Sequence, residues 1–296
     1  MKENILITGI SGMLGKSVYR YFVESGKYQI YGVSRQSSNS FSEVKMFYGD
    51  LSSEDFVKSM SHISYDAIIH CSAEVNVNLC EQDNDLAYKS NVTAVKNVFS
   101  LLKAEKYIYI STDSVFDGDN GNYIEASIVN PLNYYAQTKL LGENNVKEFT
   151  SNHYILRTNI YGFNKPMKNS LFEWCYTELD KKSEIQGFKN MLFNPLYVGQ
   201  LAKLIFAIVA SDLEFGVYNI SSNDKISKYD FLVKVANEFN FSSSLIEPIL
   251  FEKNNLTAKR ALNTTLDNSK IQKIFKDFDF SLSKGFSMLK KDFKNE

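Results

Sequence analysis

The string Tyr135-Ala136-Gln137-Thr138-Lys139 sets a phenol and an ammonium one helical turn apart on the same face. That pairing suits proton transfer: a free phenol titrates near ~10, and a neighbouring cation stabilises its phenolate and draws it toward working pH. Tyr161 and Lys165 repeat the spacing, but Lys165 precedes Pro166 and Gly162 interrupts the segment, so no helix carries that pair. Thr112 follows the apolar run Tyr107–Ser111 and is expected at a strand's carboxyl end, where parallel-sheet enzymes bind ligands. Its hydroxyl is read as a donor to a reacting carbonyl oxygen, the alternative being a buried strand-end hydroxyl.

A second group of residues points to a dinucleotide. Thr8-Gly9-Ile10-Ser11-Gly12-Met13-Leu14-Gly15 joins a strand to a helix, so Gly9, Gly12 and Gly15 would allow a sharp turn and close approach to a pyrophosphate. The N–H groups at Met13 and Leu14 would face it. About 20 residues on, where a carboxylate would select NAD, the chain reads Ser34-Arg35, and an arginine fork suits the 2′-phosphate of NADP(H). Asp50 and Leu51 follow the third strand, with Asp50 read as an acceptor for the adenine amino group or as a helix N-cap. Cys71, Ser72 and Ala73 end the fourth strand with small residues where backbone passes a cofactor. Asn91, in the following helix, is assigned to the same site.

These residues need a scaffold, and its pattern is visible. Short β-branched runs alternate with helical segments: strands at Asn4–Thr8, Gln29–Ser34, Val44–Tyr48, Ala67–Cys71, Tyr107–Ser111 and Tyr154–Arg157. Helices are expected at Met13–Ser25, Glu54–Met60, Asp85–Lys103 and Asn133–Lys147. The fold class is therefore α/β, a doubly wound parallel-sheet Rossmann domain with a smaller mixed α/β C-terminal substrate domain. Residues 1–163 are assigned to the first domain, with 194–222 returning to it, and 164–193 with 223–296 to the second. In the latter part, helices are expected at Ser170–Leu179, Tyr197–Ala210, Lys228–Phe239 and Lys284–Lys294, a strand at Val217–Ile220, and a polar loop over Asn254–Asn268. Trp174, with Phe172 and Tyr176, is read as core rather than a stacking platform, and His70 as a satisfied core histidine.

A formal charge of −1 with evenly spread ions argues against nucleic acid, and no apolar stretch suggests a leader or a membrane span, which points to the cytosol. Cys71, Cys80 and Cys175 lack metal-ligand spacing, so neither zinc nor disulfides are expected.

The glycine string, Ser111-Thr112-Asp113-Ser114-Val115-Phe116-Asp117-Gly118, and Pro131-x-x-x-Tyr135-x-x-x-Lys139 with Gly142-Glu143 resemble the extended short-chain dehydrogenase/reductases, most closely the dTDP-4-dehydrorhamnose reductase group. The likeness continues more weakly through Arg157–Gly162, Asn194–Val198 and Leu266–Lys270. It implies that NADPH reduces the 4-keto carbon of a nucleotide-linked deoxy sugar, with Tyr135 as proton donor. Lys139 would hold the nicotinamide ribose and lower the Tyr135 pKa, and Thr112 would orient the carbonyl. Asp113, Ser114, Val115, Asn159 and Arg260 would contact the substrate, with Lys259-Arg260 either meeting a pyrophosphate or forming a solvated basic pair. A homodimer and a role in polysaccharide precursor synthesis are further implications of the resemblance.

Departures from the group's pattern narrow the chemistry. Related dehydratases carry Asp-Glu after the threonine, whereas Asp113 is followed here by Ser114, which disfavours dehydration. Ser114 also replaces an aromatic residue and Ala136 a glycine, and Arg157–Gly162 is one residue short, so the sugar pocket differs from the group's. An epimerase using the same Tyr and Lys stays open, as does a regulatory subunit like the beta subunit of methionine adenosyltransferase.

Overall fold

The computed structural model describes residues 2–37, 41, 43–252 and 257–295; the first three residues of the polar loop expected at Asn254–Asn268 lie outside them. The first half runs β1 (Glu3–Thr8), α1 (Met13–Ser25), β2 (Tyr28–Ser34), β3 (Val44–Tyr48), α2 (Glu54–Lys58), β4 (Ser64–His70), α3 (Val77–Gln82), α4 (Asn84–Tyr88), α5 (Ala94–Leu101), β5 (Lys103–Thr112), α6 (Tyr134–Phe149) and β6 (His153–Thr158). The remainder runs β7 (Ile160–Tyr161), α7 (Leu171–Asp180), β8 (Ile185–Phe188), β9 (Leu192–Phe193), β10 (Leu196–Tyr197), α8 (Val198–Val209), β11 (Gly216–Ile220), β12 (Ile226–Ser227), α9 (Lys228–Glu238), β13 (Ile246–Ile249), α10 (Ser269–Gln272) and α11 (Leu282–Asn295).

Seven parallel strands form the central sheet in the order β11-β6-β5-β4-β1-β2-β3. From β1 the chain builds outward through β2 and β3, then returns to place β4, β5 and β6 on the other side. The crevice where the direction reverses, beyond the ends of β1 and β4, is where such sheets bind ligands. Helices cover both faces, so the central strands are apolar throughout rather than alternating: Ile5, Leu6 and Ile7 in β1 and Ala67, Ile68 and Ile69 in β4 are fully buried. Ile5 and Ile7 pack under Leu14, Val18 and Phe22 of α1 and Leu201 and Ile205 of α8, while Leu6 faces Val95, Val98 and Phe99 of α5 and Val146 of α6.

The helix expected over Asp85–Lys103 takes a different form. Between α4 and α5 the chain widens into a π-helical turn at Lys89–Thr93, Leu102 is already extended, and Lys103 belongs to β5. The wide turn carries Asn91, whose side chain bonds Glu74 and Thr138. Other helix ends move by a few residues because side chains cap them: Asn133 accepts from the Ala136 amide ahead of α6, and Ser170 forms a reciprocal box with Glu173 ahead of α7.

The core on the α1 face runs without a break into the residues after Asn164. Phe231 of α9 lies edge-on to Tyr161 with ring centroids 5.2 Å apart, and it also meets Phe193 and Phe286. Phe172 is buried as expected, but Trp174 is 39% exposed on the opposite side of α7, so the core reading of that tryptophan is corrected. Among the described residues, no helix is long and apolar enough to cross a membrane and no cluster of His, Cys, Asp or Glu could hold a metal ion. Truncating Phe231 to Ala should cost about 3–5 kcal/mol of unfolding free energy, because the surrounding rings cannot collapse into the space. Denaturant unfolding followed by fluorescence should stay one transition; two separate transitions would contradict a shared core.

Candidate active site

A cleft of about 1030 Å³ opens at the carboxyl ends of the sheet strands and runs from the glycine turn to the loops of the C-terminal segments. At one end, Gly9 adopts φ +62, and a Cβ there would lie 2.9 Å from the Ser72 backbone. A Cβ on Gly15 would collide with the Gly9 carbonyl oxygen. The backbone is thus drawn so close to β4 and α1 that side chains are excluded. Gly12 precedes α1 without a side-chain cap, which leaves the first-turn N–H groups, including those of Met13, Leu14 and Gly15, directed at the cleft. This cradle and the helix start without a side-chain cap fit a pyrophosphate.

Ser34 ends β2 beside this turn and Arg35 follows it, with Ser34 buried, bonded to Ser11 at 3.1 Å, and Arg35 exposed at the rim. Asp50 and Leu51 also line the cleft. Asp50 does not cap the helix: Ser53 accepts the Phe56 amide, whereas Asp50 accepts the Ser52 amide 2.9 Å away. Asn97 holds the same turn by donating to the carbonyls of Leu51 and Ser52, both at 3.0 Å. Cys71, Ser72 and Ala73 line the wall, and burial pushes the Cys71 thiol up to about 12, so it remains protonated. Asn91 is fully buried outside the lining; it holds the Glu74 backbone in place, so its reading as a cofactor contact is corrected to one of support for that wall.

Thr112, Tyr135 and Lys139 meet in the middle of the cleft. The Thr112 hydroxyl donates to Asp113 Oδ1 at 3.2 Å and accepts the Ser114 amide at 3.2 Å. Burial holds the Tyr135 phenol well above its ordinary value, a hydrogen bond with Thr112 acts the other way, and the charge of Asp113 adds to the rise. The phenol is therefore a protonated acid in the free protein. The expectation that Lys139 lowers the Tyr135 pKa is corrected: Lys139 donates to the Ile110 carbonyl at 2.7 Å and sits 4.2 Å from the centroid of the Tyr109 ring. Burial brings Lys139 down to about 7, with Glu143 opposing the shift. His70 lies beneath, lowered to about 3 by burial and by Lys139, and so is a neutral ring bonded through Nδ1 to the Thr8 hydroxyl.

One turn beyond Lys139, Glu143 is fully buried. Arg157 of β6 grips it with Nε at 2.9 Å and Nη2 at 2.8 Å, and Ser111 of β5 donates to it at 2.6 Å. This carboxylate binds the catalytic face of α6 to two strands.

At the far end, Asp113, Ser114, Asn159 and Arg260 line the cleft, with Asn159 donating to Asp113 Oδ2 at 2.8 Å. Val115 does not: it is buried against Phe116, Tyr123 and Leu266, because the short helical turn Asp113–Val115 directs it inward. Lys228, Asn133, Leu192 and Thr264 also line this end and went unnoticed in the sequence. Chain order separates them widely from Thr112, and only Ser227, the cap of α9, marks the position of Lys228.

The profile of the RmlD substrate binding domain matches residues 1–284. The chain is 30% identical over 283 residues to methionine adenosyltransferase 2 subunit beta of Bos taurus, covering 91% of this chain and 82% of that one. It is 29% identical over 286 residues to dTDP-4-dehydrorhamnose reductase of Aggregatibacter actinomycetemcomitans, covering 92% of each. Among solved structures, dTDP-4-dehydrorhamnose reductase from Bacillus anthracis in complex with NADP superposes with a TM-score of 0.86 at 26% identity, covering 99% of this chain and 100% of that one.

The lowered Lys139 value makes a prediction for the protein without ligands. With a folded value of about 7 and an unfolded value near ~10.4, the unfolded chain binds the extra proton between these limits, so stability rises with pH above 7. Lys228, lowered to about 8, adds to the rise later. Chemical denaturation should show that Lys139→Met flattens the increase between about pH 7 and 8; an unchanged slope would contradict the assignment.

Proposed function

Because the chain belongs to the RmlD substrate binding domain family, we propose that it reduces the 4-keto group of a dTDP-linked deoxy sugar with NADPH. The observation that carries this reading is a single cleft joining the glycine cradle, the Thr112–Tyr135–Lys139 group and a polar far end. A dinucleotide laid along the first part would bring its nicotinamide to Tyr135, and a sugar entering from the far end would meet it there. The NADP-bound relative of Bacillus anthracis supports the cofactor choice.

NADPH supplies the hydride when bound. The protein's contribution is position and proton. Tyr135, kept protonated by burial, donates to the oxygen as negative charge develops on it. Thr112, lining the cleft with Tyr135, orients the carbonyl from the strand end. Lys139 exchanges part of its contact with Ile110 for the nicotinamide ribose hydroxyls, which holds the cofactor beside the phenol. Arg35 takes the 2′-phosphate at the rim. Ser114 in place of a glutamate removes the base that dehydration would need.

A second reading rests on the likeness to methionine adenosyltransferase 2 subunit beta: an NADP(H)-binding regulatory subunit. The complete Thr112, Tyr135 and Lys139 set favours the enzyme, since a purely regulatory subunit has no use for a transferable proton.

Loss of NADPH absorbance on mixing with dTDP-4-dehydrorhamnose tests the proposal directly; no oxidation despite NADPH binding would favour the regulatory reading. Tyr135→Phe should lower kcat by about 10²–10⁴ while leaving the Kd for NADPH unchanged, and full turnover would eliminate Tyr135 as the acid. Arg35→Ala should raise the KM for NADPH far more than that for NADH; equal changes would show that Arg35 does not read the 2′-phosphate.

A further inference from the structure

Asp113 and Lys228 reach the far end of the cleft from unrelated parts of the fold, one following β5 and the other opening α9. Asp113 is 2% exposed and held by Asn159, Thr112 and Ser114. Lys228 is placed just as firmly: its amide donates to the Met191 carbonyl at 2.9 Å, and its ammonium lies 3.3 Å from the centroid of the buried Phe193 ring. Among the described residues, no hydrogen bond or ion pair engages that ammonium. Lys228 lines the cleft with its ammonium over the Phe193 ring, and a cation without oxygen partners there needs acceptor oxygens from a ligand.

The neighbours select the ligand's chemistry. Asp113 attracts Lys228 and Arg260 repels it, while Arg260 is anchored separately by Asn78 Oδ1 at 2.9 Å. A phosphate accepts only and would be opposed by the Asp113 carboxylate. A ring hydroxyl both donates and accepts, so it satisfies the carboxylate and the ammonium together. Asp113 also adjoins Thr112, which places the pair beside the reacting carbon rather than along the nucleotide.

Building on the ketoreductase reading above, we propose that Lys228 is a specificity-determining residue that, opposite Asp113, binds a hydroxyl of the substrate's sugar ring next to the carbon being reduced. The assignment concerns the sugar and not the nucleotide diphosphate.

Titration calorimetry with dTDP-rhamnose and with dTDP alone separates the two. Lys228→Met keeps an unbranched side chain of similar length beside Phe193 while removing the ammonium donors. Binding of dTDP-rhamnose should weaken about tenfold or more, as expected for lost hydrogen bonds to a charged group, with dTDP binding changed by less than about twofold. Lys228→Arg should recover part of the sugar affinity, and unchanged NADPH binding in both variants shows that the fold is intact. Equal weakening for dTDP and dTDP-rhamnose, or no weakening of either, would overturn the Lys228 assignment while leaving the ketoreductase reading in place. A wild-type protein that binds NADPH but no dTDP-sugar would overturn both.

Discussion

The position of the reactive groups depends on one buried carboxylate. Glu143 has no exposed surface, yet it is satisfied by Nε and Nη2 of Arg157 and by the Ser111 hydroxyl. Lys147 stands 3.7 Å away at the surface side. Removing one partner from such a pair leaves a bare buried charge at a cost of about 3–5 kcal/mol. The bidentate grip also fixes orientation as well as distance. Tyr135, Lys139 and Glu143 follow at successive turns of α6, so whatever holds Glu143 against β5 and β6 holds the phenol and the ammonium over the strand ends.

Around that fixed helix, the cleft is built from groups with unused bonding capacity. The first turn of α1 offers N–H groups without side-chain caps, made approachable by glycines that tolerate no Cβ. In the middle, burial acts oppositely on the two titrating partners: it keeps the Tyr135 phenol protonated and reduces the positive charge on Lys139.

Much of this was legible in the sequence because it is local. The glycine string, the strand that precedes it and the Tyr-x-x-x-Lys spacing each sit within a few residues, where backbone sterics and helical period decide the outcome. The parallel sheet followed from β-branched runs alternating with helical segments. What escaped was set by contacts between distant segments. Asn91 supports the Glu74 wall instead of lining the cleft, because its π-helical turn faces α6. Val115 is turned into a small core that includes Leu266. Lys228 enters the cleft only because β12 pairs with β9 and brings the start of α9 over Phe193. The pKa of Tyr135 responds first to burial, a property that no residue spacing expresses.

Hydride transfer from NADPH to a sugar carbon, with Tyr135 as the acid, is the claim on which this account turns. The direct measurement is mass spectrometry of the sugar after incubating dTDP-4-dehydrorhamnose with NADPH deuterated at the transferable position of the nicotinamide. The account predicts one deuterium at the former keto carbon and an equal amount of NADP formed. Unlabelled sugar with the NADPH unconsumed, in a protein that demonstrably binds both, would contradict it.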